Sequence, residues 1–259
     1  MPTAAVIDLD YLIAAARDAG REILAVYQSD FEVEAKSDAS PLTEADLRSH
    51  RLILGRLAER YPEIPVLSEE SAEQAPYETR RQWRLYWLVD PLDGTKEFVK
   101  RNGQFTVNIA LIEDGRPIAG VVYAPALDLL YWAGADGAFK SEQGGAPVRL
   151  ERRPSTSSDR LVVIGSRSHP TPEMAAYVEE QRSRYSEVDF LAVGSSLKLC
   201  MLAENKADVY PRFGPTMEWD TAAAHAVVRA AGGKVVSYET GQELPYNKAD
   251  LHNGWFIAS

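Results

Sequence analysis

Carboxylate side chains stand at a short turn in the first half of the sequence, directly after an apolar run. Residues 90–95 have the sequence DPLDGT, which places Asp90 and Asp93 three positions apart. A proline and a glycine favour a tight turn, so both carboxylates and the carbonyl of Leu92 can face one point. Taken alone, the segment also fits an ordinary surface turn. Because hard oxygen ligands suit Mg²⁺ better than zinc, it predicts a magnesium-binding turn.

Two other segments offer further acids. Glu69 and Glu70 follow a short apolar run, and Asp220 stands where a helix is predicted to begin. Alone, the glutamates also fit a solvated pair, and Asp220 also fits a helix cap. Packing several carboxylates together costs Coulomb energy unless a cation neutralises them, so the whole set favours a metal centre. The single cysteine, Cys200, lies in an apolar run and is expected to be a buried hydrophobic residue, not a catalytic thiol.

A threonine directly after this turn predicts water activation. The hydroxyl of Thr95 can hold an attacking water because it both donates and accepts, and Asp46 is its candidate carboxylate partner. Two metal ions about 4 Å apart would polarise a phosphate ester and lower the pKa of a bound water. The amides of Gly94 and Thr95 can bind a phosphate oxygen if they open a helix. Together these residues predict metal-dependent hydrolysis of a phosphate ester.

The elements that carry these residues follow from hydrophobic periodicity and capping signals. Thr43, with Asp46 three residues later, predicts a capping box at the start of the second helix. The period becomes strand-like from Phe105 onward. Helices are predicted at residues 9–27, 43–60, 172–181, from 196 onward and at 221–231, and strands at residues 65–68, 86–89, 106–112, 117–123, 128–132, 138–140, 161–164, 188–193 and 207–210.

A polar linker at residues 155–159 is the one internal boundary that the sequence suggests. It divides the chain into an N-terminal α+β half at residues 1–157, with most of the acids, and a C-terminal half at residues 158–259, with Asp220. Mixed helices and strands in both halves predict a layered α/β (α+β) fold and not a barrel.

The charge balance restricts the class of partner. The chain of 259 residues has 38 acidic and 28 basic residues and a net charge of −10. A nucleic-acid binder, including a metal-dependent exonuclease, needs a basic track, so we expect no nucleic-acid partner. We also see no signal peptide and no apolar run long enough to span a bilayer. The expected location is the cytoplasm, with peripheral association with the inner membrane left open.

Four segments spread over nearly the whole chain carry a family resemblance. They are LSEE at residues 67–70, WLVDPLDGTKEF at 87–98, FTVNIA at 105–110 and WDTAA at 219–223. In sequence and order they resemble the inositol monophosphatase superfamily of lithium-sensitive, magnesium-dependent phosphatases. Within it, the chain is similar to the 3′(2′),5′-bisphosphate nucleotidases. The resemblance implies an αβαβα sandwich of alternating helix and sheet layers.

The resemblance also implies a role for each matching residue. It implies two or three Mg²⁺ ions, with Glu70 beside the ligands or at a further ion, and with Asp46 and Thr95 activating the water. Glu69 and Glu70 are both expected to serve catalysis, and Glu69 also metal binding. The implied metal ligands are Glu69, Asp90, Asp93, Asp220 and the carbonyl of Leu92.

Three segments of the second half resemble the nucleotide-binding part of that branch: GSRSH at residues 165–169, GSSLK at 194–198 and YPRF at 210–213. Lysine and arginine there suit a second phosphate, and His169 can stack on a base or contact the sugar. Other interpretations remain open for each segment. Residues 194–196 also fit a helix cap, Arg212 could instead pair with a surface acid, and His169 could be an ordinary loop residue. The remaining histidines have no metal-ligand spacing. Expected substrate contacts are Gly94, Thr95, His169, Ser195, Lys198, Arg212 and Asp220.

The resemblance implies hydrolysis of adenosine 3′,5′-bisphosphate to AMP and phosphate, and also use of 3′-phosphoadenylyl sulfate, in sulfur assimilation. An inositol-1-phosphatase or a sugar bisphosphatase with the same core is the nearest alternative. A non-catalytic sensor of nucleotide or metal is the alternative of another class, against which the pair of Asp46 and Thr95 argues. The chain is expected to act as a monomer or a homodimer.

Overall fold

The computed structural model describes residues 7–30, 32–35, 41–153, 159–168 and 171–259. The α-helices are α1 (Leu9–Tyr27), α2 (Glu44–Arg60), α3 (Tyr77–Arg80), α4 (Thr95–Val99), α5 (Pro172–Arg182), α6 (Leu197–Ala203) and α7 (Glu218–Ala230). The strands are β1 (Glu34–Ala35), β2 (Pro41–Leu42), β3 (Val66–Ser68), β4 (Leu85–Asp93), β5 (Thr106–Glu113), β6 (Arg116–Ala124), β7 (Leu129–Gly134), β8 (Gly137–Glu142), β9 (Val148–Leu150), β10 (Arg160–Ser166), β11 (Glu187–Val193), β12 (Tyr210–Arg212), β13 (Val235–Ser237) and β14 (Phe256–Ala258). Short 3₁₀ helices span Glu69–Gln74 and Pro125–Leu127.

A seven-stranded sheet forms the centre of the fold, in the order β3-β4-β5-β6-β7-β8-β9. β3 and β4 are parallel, and the other neighbours are antiparallel. Trp87 of β4 packs on the α1 and α2 side, whereas Tyr86 and Leu88 pack in the core cluster that includes α6 and α7. Because helices cover both faces, the middle strands are apolar on both sides.

The first turn of α2 is fixed by the capping box that the sequence predicts. The hydroxyl of Thr43 accepts from the Ala45 amide at 3.2 Å, and the Asp46 carboxylate accepts from the Thr43 amide at 2.8 Å. This confirms the capping prediction, and it buries Asp46 with 1% of its surface exposed. A residue expected to do chemistry is therefore also tied into a helix start.

The C-terminal part of the chain adds the remaining layers. β10 and β11 form a parallel pair, and β12, β14 and β13 form an antiparallel sheet. α6 contacts β10 and β12, α7 contacts the large sheet and β13, and α5 covers β10 and β11. The order is therefore α1 and α2, large sheet, α6 and α7, small strands, and α5. This is the predicted αβαβα sandwich.

Some boundaries differ from the sequence prediction for identifiable reasons. β12 begins at Tyr210, not at residue 207, because Val209 makes only an isolated bridge to Val163, and ladder pairing with β14 starts at Tyr210. α7 begins at Glu218, not at residue 221, because the Asp220 carboxylate caps the amide of Met217. The short elements β1, β2, α3, β9, β13 and β14 were not predicted, and β4 extends to Asp93, beyond the expected end at residue 89.

Three other expectations concern the boundary, the membrane and the cysteine. Residues 154–158, which include the expected 157/158 boundary, lie outside the described residues, and one core cluster draws side chains from both sides of it. None of the described helices is long and apolar enough to cross a membrane. Cys200 is buried as expected, and burial raises the pKa of its thiol.

Candidate active site

A cavity of about 410 Å³ opens where the end of β4 meets the starts of α4, α6 and α7. Its lining brings together most of the residues that the sequence analysis selected, from segments more than a hundred positions apart. From that selection it includes Glu69, Asp90, Leu92, Asp93, Gly94, Thr95, Ser195, Lys198, Arg212 and Asp220.

Three aspartates form the acidic wall of this cavity. Carboxylate oxygens of Asp90, Asp93 and Asp220 all lie within 4.8 Å of one another. The pairing of β4 with β5 shifts register between Asp90 and Asp93, and such an irregularity re-aims side chains at a strand end. The Asp90 side chain also accepts the Leu92 amide at 3.0 Å, which fixes the backbone between the two acids.

The electrostatics of this wall favour a bound cation. Burial raises the pKa of Asp220 well above its usual value, and the charges of Asp93 and Glu69 raise it further. A divalent cation would relieve both the desolvation and the mutual repulsion. The donors are all oxygens, which hard cations prefer. The chemistry of the residues present therefore fits a divalent metal.

A hydrogen-bonded trio that the sequence analysis left without a role holds Asp93. Its carboxylate accepts the amide of Ser196, and the side chains of Thr106 and Asn108 each lie 3.5 Å from the same oxygen. Ser196 Oγ in turn donates to Asn108 Oδ1 at 2.8 Å. The available signal was the motif FTVNIA, which contains both Thr106 and Asn108. The trio fixes the orientation of Asp93. Burial raises the pKa of Asp93, whereas the positive charge of Lys198 opposes that rise.

Thr95 and Asp46 meet beside the acidic wall. Thr95 Oγ1 lies 3.4 Å from Asp46 Oδ1 and 3.3 Å from the carbonyl oxygen of Leu92. The other carboxylate oxygen of Asp46 accepts the hydroxyl of Thr43 at 2.7 Å. The Thr43 hydroxyl thus holds one carboxylate oxygen of Asp46, while the other carboxylate oxygen faces Thr95. This is the pairing that the sequence analysis proposed.

Gly94 allows the two halves of the chain to approach each other. Its φ of +89° is in the left-handed region that favours glycine, and it directly precedes α4. A Cβ at this position would lie 3.1 Å from the carbonyl oxygen of Gln104 and 3.3 Å from the Cβ of Ser195. A larger residue would therefore push the metal-facing turn away from the loop before α6.

Two buried cations face the acids across the cavity. Burial lowers the pKa of Lys198 to about 8, and its ammonium group donates to the carbonyl of Ser195. Arg212 donates a hydrogen bond from Nη2 to the carbonyl of Pro215 at 2.7 Å. Its Nε is buried and has no hydrogen-bond partner among the described residues. An unpaired guanidinium N–H at a cavity wall suits an anionic ligand.

The alternatives kept for the second half fare differently. Ser196 is the N-cap of α6 but makes no side-chain capping bond. Arg212 is buried, and its guanidinium donates to the carbonyl of Pro215 and not to a surface acid. His169 lies outside the described residues. Glu70 is half-buried and does not line the cavity, whereas His252, to which no role was assigned, does.

Known proteins resemble this chain over nearly its whole length. A model of the inositol monophosphatase family matches residues 7–256. The protein named 3′(2′),5′-bisphosphate nucleotidase CysQ from Salmonella typhimurium is 48% identical over 240 residues, which cover 92% of this chain and 93% of that protein.

Solved structures give the same result. The crystal structure of CysQ from Bacteroides thetaiotaomicron, a bacterial member of the inositol monophosphatase family, matches with a TM-score of 0.86 at 42% identity and covers 98% of both chains. An IMPase from Thermotoga maritima, at 24% identity, matches with a TM-score of 0.77 over 97% of this chain and 91% of that one. The latter likeness concerns the fold alone.

Proposed function

The chain belongs to the inositol monophosphatase family, and on that premise we propose that it is a magnesium-dependent 3′(2′),5′-bisphosphate nucleotidase. The proposed reaction releases the 3′-phosphate of adenosine 3′,5′-bisphosphate and leaves AMP. One observation carries the choice of substrate: a single cavity holds both an acidic wall and two buried cations, Lys198 and Arg212. A substrate with two phosphates can use both walls.

The acidic wall is the proposed place of the reacting phosphate. Two or three Mg²⁺ ions would polarise the ester and lower the pKa of a bound water. The residues that would hold them are Glu69, Asp90, Asp93, Asp220 and the carbonyl of Leu92. Thr106, Asn108 and Ser196 keep the Asp93 carboxylate oriented, so that its oxygen is preorganised before substrate arrives.

Thr95 and Asp46 are the proposed pair that orients the attacking water. When the Thr95 hydroxyl donates to Asp46, its lone pairs remain free to accept a hydrogen bond from water. Because Thr43 fixes Asp46, the direction of that acceptor is fixed as well. The water is then held for in-line attack, and no covalent enzyme intermediate is required.

The second phosphate is proposed to lie against Ser195, Lys198 and Arg212. The unpaired Arg212 Nε would gain a charge-assisted hydrogen bond there, and the buried Lys198 would gain a counter-charge. Because 3′-phosphoadenylyl sulfate also has a second anionic group for these cations, we include it among the proposed substrates. The two cations disfavour an inositol-1-phosphatase, whose substrate has no second anion for them.

The test is phosphate release from adenosine 3′,5′-bisphosphate by protein freed of metal with a chelator. We expect no turnover without metal, recovery on addition of Mg²⁺, and inhibition by lithium. Tight binding of the nucleotide with no turnover in saturating Mg²⁺ would instead support the non-catalytic sensor.

A further inference from the structure

Residues 247–253 are bonded both to the start of α7 and to the end of α3; we name this segment the strap. The carboxylate of Glu218, in the first turn of α7, accepts the amide of Asn247 at 2.7 Å and the amide of Lys248 at 2.9 Å. It also pairs with the ammonium group of Lys248 at 2.6 Å. Glu218 is completely buried and does not line the cavity. Its charge therefore serves the strap and not a ligand.

The strap is held on its other side by Arg80 at the end of α3. The guanidinium donates to Asn247 Oδ1 at 3.0 Å, to the carbonyl of Ala249 at 2.8 Å and to the carbonyl of Lys248. The Asn247 side chain returns a hydrogen bond, at 2.7 Å, to the carbonyl of Arg80. Only 3% of Arg80 is exposed. A guanidinium fork committed to three acceptors makes this a rigid junction.

The far end of the strap returns to α7. The side-chain amide of Asn253 donates to the carbonyl of Met217 at 2.9 Å and to Thr221 Oγ1 at 3.1 Å. The amide of Glu218 donates to the carbonyl of Leu251 at 3.0 Å. The strap is thus bonded to both flanks of Asp220 and to α3 at the same time.

These contacts link the end of α3 to the start of α7, two segments that lie far apart in sequence. Asp220 is in the same helical turn as Glu218, and Glu69 opens the 3₁₀ helix that precedes α3. We infer that Glu218 and Arg80 are positioning residues, which act through the strap to hold Asp220 and Glu69 at the separation that a divalent cation requires. The inference rests on the proposed function, because it takes both acids as metal ligands.

The experiment measures Mg²⁺ binding to metal-free protein by calorimetry, with no substrate present. We expect Glu218→Gln and Arg80→Lys each to raise the Kd for Mg²⁺ about tenfold, the low end of the effect of groups that orient metal ligands. Glu204→Gln is the matched control. It neutralises another carboxylate with 8% of its side chain exposed, paired with Lys140 at 2.8 Å, outside the active-site cavity. That control should lower the unfolding midpoint and leave the Kd unchanged.

Each result decides the inference. A folded Glu218→Gln protein that binds Mg²⁺ as the wild type does would overturn it, as would an equal rise of Kd in the Glu204→Gln control. If Glu218→Gln does not fold, Arg80→Lys, which keeps the charge but loses the fork, decides in its place. Wild-type protein that does not bind Mg²⁺ would overturn the proposed function together with the inference. Normal wild-type binding with an unchanged Glu218→Gln Kd overturns the inference alone.

Discussion

The hydroxyl oxygen of Thr95 lies 3.4 Å from a carboxylate oxygen of Asp46, which joins the first residue of α4 to the first turn of α2. The partner residues are 49 positions apart. Asp46 cannot swing freely, because Thr43 donates two hydrogen bonds to its other oxygen. The Asp46 carboxylate therefore belongs both to the helix cap and to the proposed water-orienting pair, so the same group serves stability and catalysis.

We expect Thr95→Ala to lower kcat by about a hundredfold or more with little change in KM, because general-base positioning contributes about 10²–10⁴-fold. Steady-state kinetics with adenosine 3′,5′-bisphosphate measures this. Thr79→Ala, at an exposed position of α3, is the control and should keep wild-type kcat. A change in KM alone at Thr95 would assign that residue to substrate binding instead.

Asp93→Asn tests the acidic wall. The variant should lose activity by more than about a hundredfold, since removing a metal ligand exceeds the effect of removing the groups that orient it. Burial raises the pKa of Asp93, so its ionised form destabilises the metal-free fold. The variant should therefore unfold at a higher denaturant concentration than the wild type in chelator. Asp136→Asn, at an exposed loop position, should change neither quantity, and near-normal activity of Asp93→Asn would contradict the metal assignment.

Lys198→Gln and Arg212→Gln test the place of the second phosphate. Each should raise KM for adenosine 3′,5′-bisphosphate about tenfold or more, because a hydrogen bond to a charged group contributes about 1.5–3 kcal/mol. KM for inositol 1-phosphate should change much less. Parallel kinetics on the two substrates gives the ratio, and equal effects on both would favour a monophosphatase.

His225 gives a prediction for stability against pH. Burial, together with the nearby charge of Arg229, lowers the pKa of His225 from 6.5 to about 3. Its ring shares a hydrogen bond with the hydroxyl of Tyr246 at 3.0 Å, and Glu243 lies 3.7 Å away. Between these two pH values the unfolded chain binds a proton that the folded chain does not. Stability should therefore fall as pH drops below 6.5, by up to about 1.4 kcal/mol per pH unit.

Urea unfolding at pH 7.5, 6 and 5 measures this contribution. His225→Gln should lose less stability than the wild type, by about 2 kcal/mol, between pH 7.5 and 5. His252→Gln, whose side chain is 62% exposed, should keep the wild-type slope. An unchanged slope in His225→Gln would mean that the ring is protonated in the folded protein.

The sequence predicted local structure where a signal is local. The capping box at Thr43 depends on a few neighbouring residues and was predicted correctly. The turn expected at residues 90–95 was only partly correct, because β4 continues irregularly through Asp93 and the chain turns at Gly94. α7 was placed three residues late, because the cap of Asp220 on Met217 depends on a side chain already inside the helix. β13 and β14 are three residues each and pair only through long-range contacts, so periodicity could not detect them.

The same distinction applies to the site. The acids were found because their residue types are themselves the signal. The support of Asp93 by Thr106, Asn108 and Ser196 was not found, because it joins strand β5 to the start of α6 across 88 to 90 positions. The contacts of the strap were not predicted for the same reason. Nothing in the residues around Glu218 indicates that Arg80 and Lys248 meet there.

The most direct test of the proposed function compares kcat/KM for adenosine 3′,5′-bisphosphate and for inositol 1-phosphate at the same saturating Mg²⁺. The second substrate lacks the anion that Lys198 and Arg212 are proposed to bind. We predict at least a hundredfold preference for the nucleotide, about 2.7 kcal/mol of additional transition-state stabilisation. Equal values, or faster hydrolysis of inositol 1-phosphate, would contradict the nucleotidase assignment.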